Sequence, residues 1–195
     1  MVGIIYDYFF KIVILLEDLC CRYIGFGKLY HRLFYQGMIE REVELAGLKP
    51  GERVLHIGGG CFPFTAIYLA LKGYKVQVID MEAKAVEKAK AVIEKWGLKD
   101  YIEVLEANGL DVSGEGFDVV WISLHVHPKE EIIKKLLSIL PSSGRIIYRN
   151  PRGVLRRFYP VVKPEQILKK GDYHLADQII QKESIVIYNQ GGVVA

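Results

Sequence analysis

Residues 53–80 read RVLHIGGGCFPFTAIYLALKGYKVQVID, and this stretch decides the fold. Arg53 to Ile57 is a short apolar strand that runs straight into Gly58-Gly59-Gly60. A helix opens at Pro63, where a residue without an N–H is well placed because first-turn N–H groups have no intrahelical partner. Ile67, Leu69, Ala70 and Leu71 give it an inward face, and Gly73 closes it. Lys75 to Ile79 is a second strand ending at Asp80. Strand, glycine turn, helix and strand in this order make one βαβ unit.

The same alternation continues outward. Ala83 to Trp96 is helical by the spacing of its alanines with Val86, Val92 and Ile93, and Gly97 caps it. Ile102 to Leu105 and Phe117 to Ser123 are the third and fourth strands, Lys129 to Leu140 a helix, and Arg145 to Tyr148 a fifth strand. His174 to Tyr188 alternates, and Lys182-Glu183 in its middle predicts the turn of a hairpin. The expected fold is α/β: a Rossmann-like, doubly wound, mostly parallel sheet with a closing antiparallel hairpin. Residues 1–50 form a helical N-terminal extension, and residues 51–195 the Rossmann-like domain.

The N-terminal segment is apolar, yet Asp7, Lys11, Glu17 and Asp18 interrupt it well short of the ~20 residues that cross a bilayer. Asp7 precedes the apolar run, where a signal peptide carries positive charge. Ile5, Tyr8, Phe9, Ile12, Leu15, Leu16 and Leu19 recur at helical steps and predict an amphipathic helix packed on two sides, offering a homodimer contact. The 195 residues, 51% hydrophobic and 25% charged, suit one globular domain and exclude a disordered chain. Three cysteines, two of them adjacent, point away from a disulfide scaffold and toward a reducing cytoplasm. The net charge of +3 hides a segment from Lys129 to Lys170 with eleven basic and three acidic residues.

In such a sheet, ligands bind at the carboxyl ends of the central strands. Gly58, Gly59 and Gly60 lie there, and glycines let backbone approach a ligand without a Cβ in the way. Asp80 follows Gly58 by 22 residues, the spacing at which a carboxylate reaches the two hydroxyls of a ribose. Asn108, after the third strand, is the candidate for the adenine, and Ser123, at the end of the fourth, is a further cofactor contact. A dinucleotide site wants a third glycine where this chain has Pro63, which removes a donor that a phosphate would use. A cofactor with ribose but no phosphate fits better, namely S-adenosylmethionine, here a substrate.

Gly58 to Ala70, GGGCFPFTAIYLA, resembles the GSGPLPLTSIVLA signature of nicotianamine synthases. Pro141 to Lys163, PSSGRIIYRNPRGVLRRFYPVVK, resembles a second block of that family, and the likeness runs from about Phe34 to Lys163. Common methyltransferases carry an acid two residues before the first glycine; this chain has His56, as the synthases also lack the acid. The resemblance implies transfer of the 3-amino-3-carboxypropyl group to an amine or amino-acid acceptor, with methylthioadenosine leaving, in metallophore biosynthesis. It further implies a catalytic glutamate after the aromatic pair Phe34-Tyr35, given to Glu44 with Glu40 and Glu42 competing. Tyr68 would hydrogen-bond the incoming amine, and Arg149 would anchor a carboxylate.

Other readings remain. A methyltransferase acting on a small molecule or RNA would use the basic segment along phosphates, although nucleic acid is disfavoured because few aromatics interleave the charges. A non-catalytic binder is the third class. Cys61 at a helix start is a candidate thiol or a small packing residue. His125 and His127 have no third ligand in reach of the sequence, so no metal is expected.

Overall fold

Along the chain the strands are β1 (Arg53–Ile57), β2 (Lys75–Asp80), β3 (Ile102–Glu106), β4 (Val119–Ile122), β5 (Arg145–Pro151), β6 (Tyr173–Gln178) and β7 (Lys182–Tyr188). The computed structural model describes residues 11–12, 15–113, 115–168, 173–178 and 182–189. The helices are α1 (15–22), α2 (Ile24–Tyr30), α3 (Gln36–Ala46), α4 (Phe64–Leu71), α5 (Ala83–Lys95), α6 (Lys129–Ile139) and α7 (Pro164–Ile167). A π-turn, His31–Tyr35, joins α2 to α3.

Among the described residues seven strands form one sheet in the order β3-β2-β1-β4-β5-β7-β6. β1 to β5 pair in parallel, and β7 runs antiparallel to β5. Successive side chains on a strand point to opposite faces, and both faces here are covered, so the central strands are apolar almost throughout. Val54, Val76, Val119, Trp121, Ile147 and Val186 pack with α3, α4 and α5 on one face. Leu55, Ile79, Val120, Ile122, Ile146 and Ile187 pack with α6 and α7 on the other. Each fully buried side chain of this size stabilises the fold by about 1.5–3 kcal/mol. The strand order reverses at β1, between β2 and β4, and the crevice above that point is the place for a ligand.

Two expectations change. Lys182-Glu183 belongs to β7 and not to the turn between the two strands; residues 179–181 lie outside the described residues. β7 enters between β5 and β6, where Ile185, Val186 and Ile187 are wholly buried, and that burial outweighs the weak strand preference of Lys182 and Glu183. The N-terminal stripe is not packed on two sides where it is described: Ile12 and Leu15 are 55% and 58% exposed. Ile5, Tyr8 and Phe9 lie outside the described residues. No described helix is long and apolar enough to cross a membrane.

Three residues of the basic segment, Lys129, Arg145 and Arg149, turn inward. Arg145 donates to the carbonyls of Ala46 (2.9 Å) and Gly47 (3.0 Å), which the end of α3 leaves without helical partners, and pairs with Glu52. Lys129 is buried at the start of α6, and its Nζ donates to the Leu124 carbonyl (3.0 Å) and the Arg149 carbonyl (2.6 Å). This lysine ties the carboxyl ends of β4 and β5 together.

Candidate active site

A cavity of about 400 Å³ opens at the carboxyl edge of β1, β2 and β4. Gly58, Gly59, Gly60, Asp80, Asn108, Ser123 and Arg149 all line it, so seven sequence-predicted residues meet in one place. Glu17 from α1, Tyr35 from the π-turn, His56, Thr65, His125 and Lys182 complete much of the wall.

The glycine turn needs glycine for stated reasons. Gly58 has φ +77°, and a Cβ there would stand 2.4 Å from Val126 Cγ2. Gly60 has φ +63° with open space where a Cβ would project, which makes it a bare ledge beside the cavity. Its N–H donates to Asp80 Oδ2 at 2.8 Å, and Oδ1 accepts from the Glu82 N–H at 3.1 Å. The carboxylate is therefore held between turn and strand, with lone pairs still available to a diol. Asn108 Oδ1 accepts from Leu110 N at 3.0 Å and caps the short turn after β3. These residues fit an adenosine: a Cβ-free approach, a fixed carboxylate and an amide at the end of β3.

His56 and Ser123 join β1 to β4 through a 3.0 Å hydrogen bond between Nε2 and Oγ, while His56 Nδ1 is buried without a partner among the described residues. Burial, and then the nearby Arg149 charge, push the His56 pKa down to about 3. Burial also lowers His31, and takes His125 down to about 4. In the unfolded chain such imidazoles titrate near 6.5. Their neutral forms therefore carry stability that is complete above about pH 6.5 and is lost as pH falls toward the folded values. The unfolding midpoint should drop steadily from pH 7 to pH 5, and His56→Gln should flatten that decline. A midpoint independent of pH over this range would contradict the assignment.

Beneath the cavity floor, Glu42 of α3 is completely buried. Arg149 grips it twice, Nε to Oε1 at 2.7 Å and Nη2 to Oε2 at 2.6 Å. Trp121 Nε1 donates to Oε2 (3.0 Å) and Ser184 Oγ to Oε1 (2.6 Å), while Arg149 Nη2 also reaches Thr65 Oγ1 (3.0 Å). Burial alone would raise the Glu42 carboxyl, but the Arg149 guanidinium and these hydrogen bonds overturn that and hold it below the usual carboxylate range.

Glu44 is a correction. α3 sets Met38, Ile39, Glu42 and Ala46 against the protein, and a residue two positions on is turned roughly 200° about the axis, so Glu44 is exposed and lines no part of the cavity. Tyr68 is likewise moved: α4 is buried nearly all round, and the phenol donates to Glu40 Oε1 at 3.3 Å away from the lining residues. Arg149 does reach the cavity, yet its carboxylate partner is the protein's own Glu42. Cys61 donates to Glu17 Oε2 (3.5 Å), and the hydrogen bond with Cys21 and burial raise its pKa, which disfavours a thiolate. Glu17, Thr65, Glu82 and Lys182 are lining residues that sequence reasoning did not single out, and Tyr35 entered it only as part of the aromatic pair Phe34-Tyr35. Only the charged position of Glu17 in an apolar helix gave any signal.

The family model described as nicotianamine synthase protein matches residues 27–188. The chain belongs to the nicotianamine synthase family. A mutant of MtNAS in complex with S-adenosylmethionine is similar in fold, with TM-score 0.77 and 23% identity over 93% of this chain and 75% of that one. MtNAS in complex with MTA and tNA gives TM-score 0.76 and 24% identity over 91% of this chain and 70% of that one. The L-histidine 2-aminobutanoyltransferase of Yersinia pestis is 26% identical over 117 residues, 60% of this chain and 44% of that protein. A protein-L-isoaspartate O-methyltransferase of Methylorubrum populi is 30% identical over 124 residues, 60% of this chain and 58% of that protein. The chain spans about half the length of these curated relatives.

Proposed function

We propose that the protein transfers the 3-amino-3-carboxypropyl group of S-adenosylmethionine to the amine of an amino-acid acceptor and releases methylthioadenosine. The observation that carries this reading is the Gly58–Gly60 turn locked to Asp80 at the switch point, in a chain of the nicotianamine synthase family. The complexes of MtNAS, one with S-adenosylmethionine and one with MTA and tNA, support it, as does the name of the Yersinia pestis relative.

In this reaction a C–N bond forms, a C–S bond breaks, the electron pair stays on sulfur and one proton leaves the nitrogen. The sulfonium activates all three of its carbons, so the residues decide the product by which carbon they present to the amine. Asp80 fixes the ribose and the bare turn admits the backbone approach. Three carboxylates line the cavity: Asp80 is held by two backbone N–H groups, Glu82 is exposed, and the part-buried Glu17, which accepts only from the Cys61 thiol, is the one that takes the proton. Burial raises its pKa, which brings it nearer that of an amine. The product carries several amines and carboxylates and would chelate metal ions, which supports a role in metallophore biosynthesis. The free thiols of Cys20, Cys21 and Cys61 suit a reducing cytoplasm.

A label experiment tests the reading. With S-adenosylmethionine labelled in its methyl group in one batch and in its carboxyl carbon in another, only the carboxyl label should move to an amino acid. Methyl transfer, the second reading favoured by the O-methyltransferase relative, would move the other label.

A further inference from the structure

We propose that Lys182 holds the carboxylate of the acceptor amino acid and so selects α-amino acids over plain amines. This rests on the aminocarboxypropyl-transfer reading. Because β7 is antiparallel, its first residue falls at the carboxyl edge of the parallel strands, with Lys182 beside Pro151 at the end of β5. The adenosine residues stand over β1, β2 and β3, while β7 lies beyond β4 and β5, on the far side of the switch point. Lys182 thus lines the same cavity from the end opposite the nucleoside.

Charge makes the assignment specific. Among the described residues the other lining guanidinium or ammonium is Arg149, and Glu42 neutralises it with two hydrogen bonds. The Lys182 ammonium has no hydrogen-bond acceptor or ion pair among the described residues; it sits over the Tyr35 ring, 5.2 Å from the centroid. Tyr35 is itself fixed by stacking on Phe64, with centroids 4.2 Å apart. A half-buried ammonium on an aromatic face, open to a cavity, lacks only an anion. An α-carboxylate supplies one and places the attached amine toward Glu17 and the nucleoside.

Burial and then the Arg149 charge lower the Lys182 pKa to about 8, while Glu42 and Glu17 oppose this and His125 shares the wall. Carboxylate binding through the ammonium is therefore strongest well below pH 8 and weakens as pH rises through it. The probes are the twenty common L-amino acids and their decarboxylated amines, with methylthioadenosine release as the signal. For the amino acid giving the fastest release, Lys182→Met should raise KM at least tenfold with little change in kcat. It should leave S-adenosylmethionine affinity and the melting temperature unchanged, and leave turnover of the matching amine where it was. Lys182→Arg should restore KM and remove its rise above pH 8. An unchanged KM overturns the proposal, as does a variant that weakens S-adenosylmethionine instead, which would move Lys182 to the donor. If amines alone are accepted, the proposal fails while the transfer reading stands; if S-adenosylhomocysteine forms in place of methylthioadenosine, both fail.

Discussion

Asp80→Ala should weaken S-adenosylmethionine binding by roughly 100-fold or more. Each hydrogen bond to a charged group contributes about 1.5–3 kcal/mol, and a ribose offers two hydroxyls to one carboxylate. At about 1.4 kcal/mol per tenfold, losing both gives roughly 10²- to 10⁴-fold. The carboxylate also pins the turn, through the Gly60 N–H at 2.8 Å, so the alanine variant loses the shape of the site along with the contact. Asp80→Asn keeps an acceptor for Gly60 and should fall between the two. Calorimetric titration measures all three proteins. An alanine variant with wild-type affinity would remove Asp80 from the site.

Glu42→Ala should cost about 3–5 kcal/mol of stability, because it strands the Arg149 guanidinium in the interior. Arg149 and Glu42 are 4% and 0% exposed, so water cannot take the place of the lost partner. For a chain of this size about 1 kcal/mol moves the melting temperature by ~2–4 °C, so the drop should be roughly 10 °C. Glu42→Leu combined with Arg149→Met should recover much of it, since a buried ion pair often gives way to apolar residues at little cost. Thermal melts of the single and double variants decide the matter. A single variant that melts within 2 °C of the parent would mean that the pair does not tie α3 to the sheet.

That tie was only half legible in the sequence. β1, the glycine turn, α4, β2 and Asp80 follow one another within 28 residues, so local pattern and spacing place them correctly. Glu42 is different. Whether Glu40, Glu42 or Glu44 faces inward depends on partners contributed by β4, β5 and β7, and Trp121, Arg149 and Ser184 lie 79, 107 and 142 residues away. A family likeness that leaves three glutamates competing cannot supply that phase, and two residues of error on a helix turn a side chain to the opposite side. Lys182 was hidden for a related reason. Read as a turn it is a solvated charge; read as the first residue of an antiparallel inner strand it stands at the functional edge. The basic segment likewise looks like a binding surface in one dimension, and its Lys129, Arg145 and Arg149 are internal struts in three.

The most direct test of the account is the identity of the nucleoside left behind when the protein turns over S-adenosylmethionine with amino acids present. Chromatography with mass detection should find methylthioadenosine, formed in step with a product heavier than its acceptor by one aminocarboxypropyl group. S-adenosylhomocysteine with a methylated acceptor would contradict it.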